Sequence, residues 1–249
     1  MHKVSKKVVM LLLVGICISA IGCGEKVNNK KAEKEDILTG SSIETVPESI
    51  NNNDAKYTIK TKSIVTNNIH VSYPQIIGME NSEIQNKWNN IIKAKVEAGI
   101  NNVGNKDTYV LSYKVKTQNE KMISILIEGE TSSAATDYDK YVFMYTFNID
   151  VETGECIRLK DRVDTEKIAT NFMAGKRYSV KNADNSVFRE YLNLFYKDKD
   201  SIRDDLNNYD FGENMGFVRG YSYFESGSVY LCVNVNHNLG DYIEVLIDN

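Results

Sequence analysis

The chain predicts an α+β body: an antiparallel sheet meander packed by helices, with a second α+β half following in the same body. Three observations predict it. From about Tyr57 to the C-terminus the sequence runs strands, then helices, then strands. The strand stretches alternate apolar and polar residues, the period of a sheet with one face on a core. The helical stretches each gather their apolar residues on one face. The composition agrees: 42% hydrophobic and 26% charged residues over 249 positions exclude a collagen, a coiled coil and a multi-span membrane protein. Two prolines exclude a proline-rich spacer. Thirty Lys and Arg against 34 Asp and Glu, a net charge of −4, leave no basic excess to hold nucleic acid.

The first element is an address. Lys3, Lys6 and Lys7 form a basic start, and residues 8–21 are an uncharged apolar run. That run has the length of a signal peptide's hydrophobic region and is short of the roughly 20 residues that cross a bilayer. Ala20-Ile21-Gly22-Cys23 then resembles a bacterial lipobox, which implies cleavage before Cys23 and transfer of diacylglycerol to its sulfur. Residues 1–22 are thus expected to be a lipoprotein signal peptide and Cys23 the lipidation site, with the body held at the outer face of the cell membrane. Two or three acyl chains suffice for stable anchoring. Loss of the three leader lysines takes the net charge from −4 to −7, so net charge draws the body to neither anionic lipid nor wall polymer.

Residues 23–55 are expected to be the lipidated Cys and a flexible tether. They are rich in Lys, Glu, Asn and Ser and contain no aromatic residue, so they cannot bury enough apolar surface to offset their ordering entropy.

The body divides into a half at 56–160 and a half at 161–249. Residues 57–65 alternate as a strand, and 69–73 form a short second one before Pro74. Ser82 and Gln85 have capping-box spacing, and Ile84, Trp88, Ile91, Ile92 and Val96 fall on one helical face, with Gly99 as its stop. Trp88, the single Trp, is read as a core anchor. Strands are expected at 108–117, 121–130 and 140–150, with a turn at Thr153-Gly154 and a short strand at 155–159. In the second half Asp161 or Asp164 caps a helix carrying Ile168, Phe172 and Met173. Residues 185–196 carry Val187, Tyr191, Leu194 and Phe195 at helical spacing, and 201–206 add a turn or more. Strands at 216–224, 228–235 and 241–247 close the chain, with Gly227 turning the first pair.

The stretch Tyr73-Pro74-Gln75-Ile76-Ile77-Gly78-Met79-Glu80-Asn81, followed by Ile84-Gln85-Asn86 and Asn89, resembles the opening of an extracytoplasmic module that precedes the catalytic domain in PdaC-type peptidoglycan deacetylases. Thr153-Gly154-Glu155-Cys156-Ile157-Arg158-Leu159-Lys160-Asp161 is similar to a second segment of that module. A companion module occurs in the extracellular part of RsiV-type anti-sigma factors, which bind lysozyme. The resemblance implies a PdaC-like half at 56–160 and an RsiV-like half at 161–249. It carries no catalytic residue: the deacetylase's metal-binding domain has no counterpart here, and the seven residues before Val8 cannot supply a sigma-binding segment.

The candidate sites are few. Cys156 and Cys232 remain once Cys23 is lipidated and the leader is gone; they form either one disulfide or two buried thiols. His237 and Asp241, four apart in a polar stretch, read as a turn between strands or as a ligand contact. A metal site is not expected, because it needs three or four ligands and the only other mature His is His70. Tyr138, Tyr141, Tyr221 and Tyr223 lie on or near strands and offer either a ligand-binding surface or half-buried packing. Glu128, Glu130, Asp137 and Asp139 flank a loop without the marks of a paired-carboxylate hydrolase, and Asp198, Asp200, Asp204 and Asp205 read as a solvated helix face. No cofactor and no catalysis are expected. The expected function is a membrane-anchored, non-catalytic module that binds or senses a cell-wall fragment, a peptide or a protein. An assembly or envelope-stress partner comes second and a hydrolase third.

Overall fold

A computed structural model describes residues 55–104, 106–133, 140–211 and 218–248. The leader, Cys23, the tether up to Asp54 and Tyr138 lie outside the described residues, as do Asp137 and Asp139. The first half builds a five-stranded sheet: β1 (Thr58–Val65), β2 (Ile69–Ile77), β3 (Thr108–Gln118), β4 (Met122–Ser132) and β5 (Tyr141–Asp150), in that spatial order. The helix α1 (Ser82–Asn101) links β2 to β3 and covers one face. The second half places α2 (Thr165–Met173), β6 (Tyr178–Val180), α3 (Asn185–Phe195), α4 (Lys199–Leu206), β7 (Gly220–Glu225), β8 (Ser228–Asn234) and β9 (Tyr242–Ile247). Its strands form a four-stranded sheet in the order β6-β9-β8-β7. The class is α+β, as the sequence predicts.

Four layers result, because each sheet has a helix-covered face and a face on the other sheet. Ile84, Trp88, Ile92 and Val96 of α1 pack on Leu111, Ile123, Ile125, Ile127 and Phe147 of the first sheet. Phe172 of α2, Phe188 and Leu192 of α3 and Ile202 of α4 pack on Leu231, Val233, Ile243 and Val245 of the second. Between the sheets lie Leu126, Met144, Tyr223 and Cys232.

The first sheet is mixed, not an antiparallel meander: β2 and β3 run parallel through Ile69–Val71 and Tyr109–Leu111. The cause is α1, which carries the chain back along the sheet before β3 begins, as a crossover connection does. α1 also runs through Gly99 to Asn101. Glycine stands there because a Cβ would strike the phenol of Tyr109. The helix is capped by Asn81, whose side chain accepts from the N–H groups of Glu83 and Ile84, while Gln85 accepts from Met79. β2 continues past Pro74 to Ile77. The missing N–H costs nothing, since Pro74 faces Thr61 as a pair that exchanges no hydrogen bonds.

Cys156 makes a single bridge to Ile149 instead of a strand. The chain then enters a short 3-10 turn at Leu159–Asp161, because the N–H of Leu159 is taken by the Asp210 carboxylate at 2.8 Å.

That carboxylate belongs to a network that joins the sheets. Asp210 accepts from Ser222 N–H (2.6 Å), Ser222 Oγ (2.6 Å) and, at longer range, Thr146 Oγ1 (3.4 Å). Asn148 donates to the Ser222 carbonyl (2.8 Å) and accepts from Ser124 Oγ (2.7 Å). Phe224 donates its N–H to Ser124 Oγ (3.0 Å), and Thr117 Oγ1 donates to the Phe224 carbonyl (2.6 Å). The outward groups of β7, an edge strand, are therefore satisfied by side chains from β3, β4, β5 and the segment after α4.

Candidate functional site

Tyr141, His237 and Asp241, far apart in sequence, come together where β5 meets the β8–β9 connection. The connection makes a short 3-10 turn at His237–Leu239 and then passes through Gly240 and Asp241, both left-handed (φ 94° and 70°). Aspartate tolerates that conformation better than most residues, and here the turn drives its carboxylate inward. Asp241 Oδ1 lies 2.9 Å from His237 Nδ1, and Oδ2 accepts the backbone N–H of Val142 at 2.7 Å. The Asp241 side chain is 2% exposed and that of His237 41%. The Tyr141 ring, 52% exposed, stacks on the imidazole with centroids 6.3 Å apart. Burial, and secondarily the Asp241 charge, raise the Tyr141 pKa, so this phenol stays a neutral donor at ordinary pH. The group offers an aromatic face, a phenol and an imidazole oriented by a buried carboxylate. Such a surface can stack on a sugar ring or a peptide side chain and hydrogen-bond at its rim.

The other expected contact residues are placed elsewhere. Tyr223 is 1% exposed; it stacks on Tyr230 at 4.6 Å with Lys116 Nζ 4.6 Å above its ring. Its strand has no wet face, because the first sheet covers it, so its ring offers no surface to a ligand. Tyr221 is half-buried against Phe211, 5.2 Å away. Glu128 is paired with Lys114 (2.6 Å) and Glu130 with Lys140 (3.0 Å). Cys156 and Cys232 are free thiols. Cys156 packs on the α1 side of the first sheet and Cys232 between the sheets. Burial pushes the Cys156 thiol up to about 12 and that of Cys232 well above its ordinary value, the opposite of a reactive cysteine. Among the described residues, no group of three His, Cys, Asp or Glu side chains is placed to hold a metal ion.

Sequence reasoning missed two features. Lys95 of α1 sits 4.9 Å over the ring of Phe211 and 5.5 Å over that of Tyr145, and burial lowers its pKa. The Tyr145 hydroxyl is buried with no hydrogen-bond partner among the described residues. Neither carries a local signal: a single Lys on an amphipathic helix and a Tyr in an aromatic strand are ordinary. An open hollow of about 750 Å³ near the start of the body is rimmed by Glu80, Glu83, Glu120 and Glu152 against Lys56.

The fold and the surface group define an α+β body of two stacked sheets, each covered by helices, with a polar-aromatic patch at one end of β5. No protein-family model matches the chain, and no curated protein is similar to it at a significant level. Among solved structures it is similar to a DUF3298 family protein from Pseudomonas aeruginosa PAO1, with 11% identity, a TM-score of 0.42, and 79% of this chain and 92% of that one covered. It is also similar to a DUF3298 family member from Bacteroides fragilis NCTC 9343, with 9% identity, a TM-score of 0.44, and 78% and 90% covered.

Proposed function

We propose that the protein is a lipoprotein, anchored through Cys23, whose body binds a cell-wall fragment at the Tyr141–His237–Asp241 surface without turning it over. The observation that carries this reading is the assembly of Tyr141, His237 and Asp241 from two parts of the chain into one half-exposed group. The buried carboxylate of Asp241 is committed to His237 and Val142, which fits a positioning role. Glycan rings stack on exposed aromatic faces, and their hydroxyls and N-acetyl groups hydrogen-bond to phenol and imidazole. The leader and lipobox support placement at the outer face of the membrane, and the resemblance to PdaC-type modules supports a peptidoglycan ligand.

The test is retention of muropeptides, released from purified peptidoglycan by a muramidase, on the immobilised full-length protein. Wild type is expected to retain them, and Tyr141→Ala and His237→Ala to lose them. Retention that is unchanged in both variants, or no retention by wild type, overturns the reading. Any cleaved or deacetylated product dependent on His237 would turn it into an enzyme.

A further inference from the structure

We propose that the free edge of β1 is a docking strand for an extended, acidic segment of a partner protein. β1 and β5 are opposite edges of the five-stranded sheet, so this surface is separate from the Tyr141 group and does not rest on its role.

The argument starts from hydrogen-bond direction. Ile76 donates its N–H to Asn89 Oδ1 and accepts from Asn89 Nδ2 at its carbonyl, both at 2.8 Å. Its backbone therefore points away from β1, and its partner Ile59 points away from β2. At the other end Thr66 N–H bonds the Ile69 carbonyl at 2.8 Å, which closes the hairpin and sets the same alternation. Ile59, Thr61, Ser63 and Val65 thus present their N–H and C=O groups outward along one edge. Among the described residues none of these groups has a hydrogen-bond partner.

The other edges are hydrogen-bonded or buried. β7 is satisfied by side chains as described. β6 has only three residues, and its Val180 N–H is taken by Asn185 at 3.0 Å. β5 gives the Val142 N–H to Asp241, the Asn148 carbonyl to Ile157 (2.8 Å) and the Asp150 N–H to Glu155 (3.0 Å), and Met144 and Thr146 between them are buried, out of reach of an added strand. A body that bonds or buries its other edges and, among the described residues, leaves one strand of eight residues open presents a template for strand addition.

Charge selects the occupant. Lys60 and Lys62 project from β1 and are exposed. Lys62 meets Lys93 of α1 across a hollow of about 310 Å³ also lined by Tyr73, Gln75 and Asn90. A second copy added antiparallel, centred on Thr61 or Lys62, would set these lysines against their own images, which is destabilising. A segment with carboxylates on alternate residues places them over Lys60 and Lys62 while its backbone completes the ladder.

The probes are an alternating Val-Glu octapeptide and an alternating Val-Lys octapeptide, each labelled for fluorescence anisotropy against the full-length protein. The acidic peptide is expected to bind, and the basic one to bind at least about tenfold more weakly. Ser63→Pro removes one outward N–H and leaves the β1–β2 backbone ladder intact, losing toward β2 only the exposed 3.3 Å side-chain contact with Ser72. It is expected to weaken binding about tenfold with an unchanged thermal midpoint. Lys62→Glu is expected to shift preference toward the basic peptide by about fivefold. Amide hydrogen exchange at Ile59, Thr61, Ser63 and Val65 is expected to be fast in the free protein and slow with peptide. No binding of the acidic peptide, equal binding of both, or binding insensitive to Ser63→Pro overturns the proposal. So does slow exchange of those four amides without peptide, since the edge would then already be covered.

Discussion

Replacing Trp88 by Ala tests the packing of α1 on the first sheet. The indole is 3% exposed, meets Phe147 edge-on at 6.2 Å, and donates its N–H to the Gly154 carbonyl at 3.0 Å. Burying about 200 Å² of aromatic surface at about 25 cal/mol per Å² gives about 5 kcal/mol, an upper figure, and large-to-small aromatic changes cost about 3–5 kcal/mol. The lost hydrogen bond adds little, because the Gly154 carbonyl keeps a second donor, Lys87 Nζ, at 2.9 Å. Trp88→Ala is therefore expected to cost about 4 kcal/mol, and Trp88→Phe, which keeps most of the ring, about 1–2 kcal/mol. Urea unfolding followed by far-ultraviolet circular dichroism reads both, since the variants lack the fluorophore. In wild type the emission of Trp88 is expected to move to the red on unfolding. A loss under about 1 kcal/mol for Trp88→Ala, or equal losses for both variants, would refute the claim that this ring anchors the helix.

Burial pushes the Asp210 carboxyl up to about 6, against about 3.9 for an unfolded Asp. The folded state then holds the proton more tightly. The group's contribution is greatest below about pH 4 and falls by up to about 3 kcal/mol as pH rises through about 6. Asp210→Asn is expected to be less stable at every pH but to lack that part of the slope; equal pH 4 to pH 7 differences in the two proteins would contradict it. Tyr145→Phe removes a hydroxyl that has no partner among the described residues and is expected to leave stability unchanged or raise it by about 1 kcal/mol, read as a shift in urea midpoint; a loss above about 1 kcal/mol would mean the hydroxyl is bonded. Cys23→Ser is expected to abolish incorporation of a fatty-acid probe, and equal labelling of wild type and variant would exclude lipidation at that residue.

The helices and most strands were legible because their patterns are local. Ile84, Trp88, Ile92 and Val96 repeat on one face whatever they pack against, and Ser226-Gly227 supplies the two left-handed residues that a tight hairpin needs (φ 51° and 79°). The parallel pairing of β2 with β3 was not legible, since alternation looks the same in either orientation. Nor was the stacking of the sheets. Ser124, Thr146 and Asn148 read as a solvated face by polarity alone, yet they are buried, because their partners Phe224, Asp210 and Ser222 arrive from 64 to 100 residues later. The same nonlocality hid the meeting of Tyr141 with His237. His237 and Asp241 themselves stood out, being polar and four apart; for Tyr223, open between a ligand surface and packing, the structure gives packing, because the other sheet covers its strand.

The polar seam along β7 has a bearing on how the body comes apart. Lifting the second sheet away from the first would strip the Ser222 carbonyl of Asn148 and the Phe224 N–H and carbonyl of Ser124 and Thr117 together, and would part Asp210 from Thr146, each a loss in an apolar surround. Neither sheet can release its half of the seam separately, so the two halves should share one melting event. A calorimetric scan should then give a single peak whose van't Hoff and calorimetric enthalpies agree, although the described residues build two sheets and two helix-packed cores.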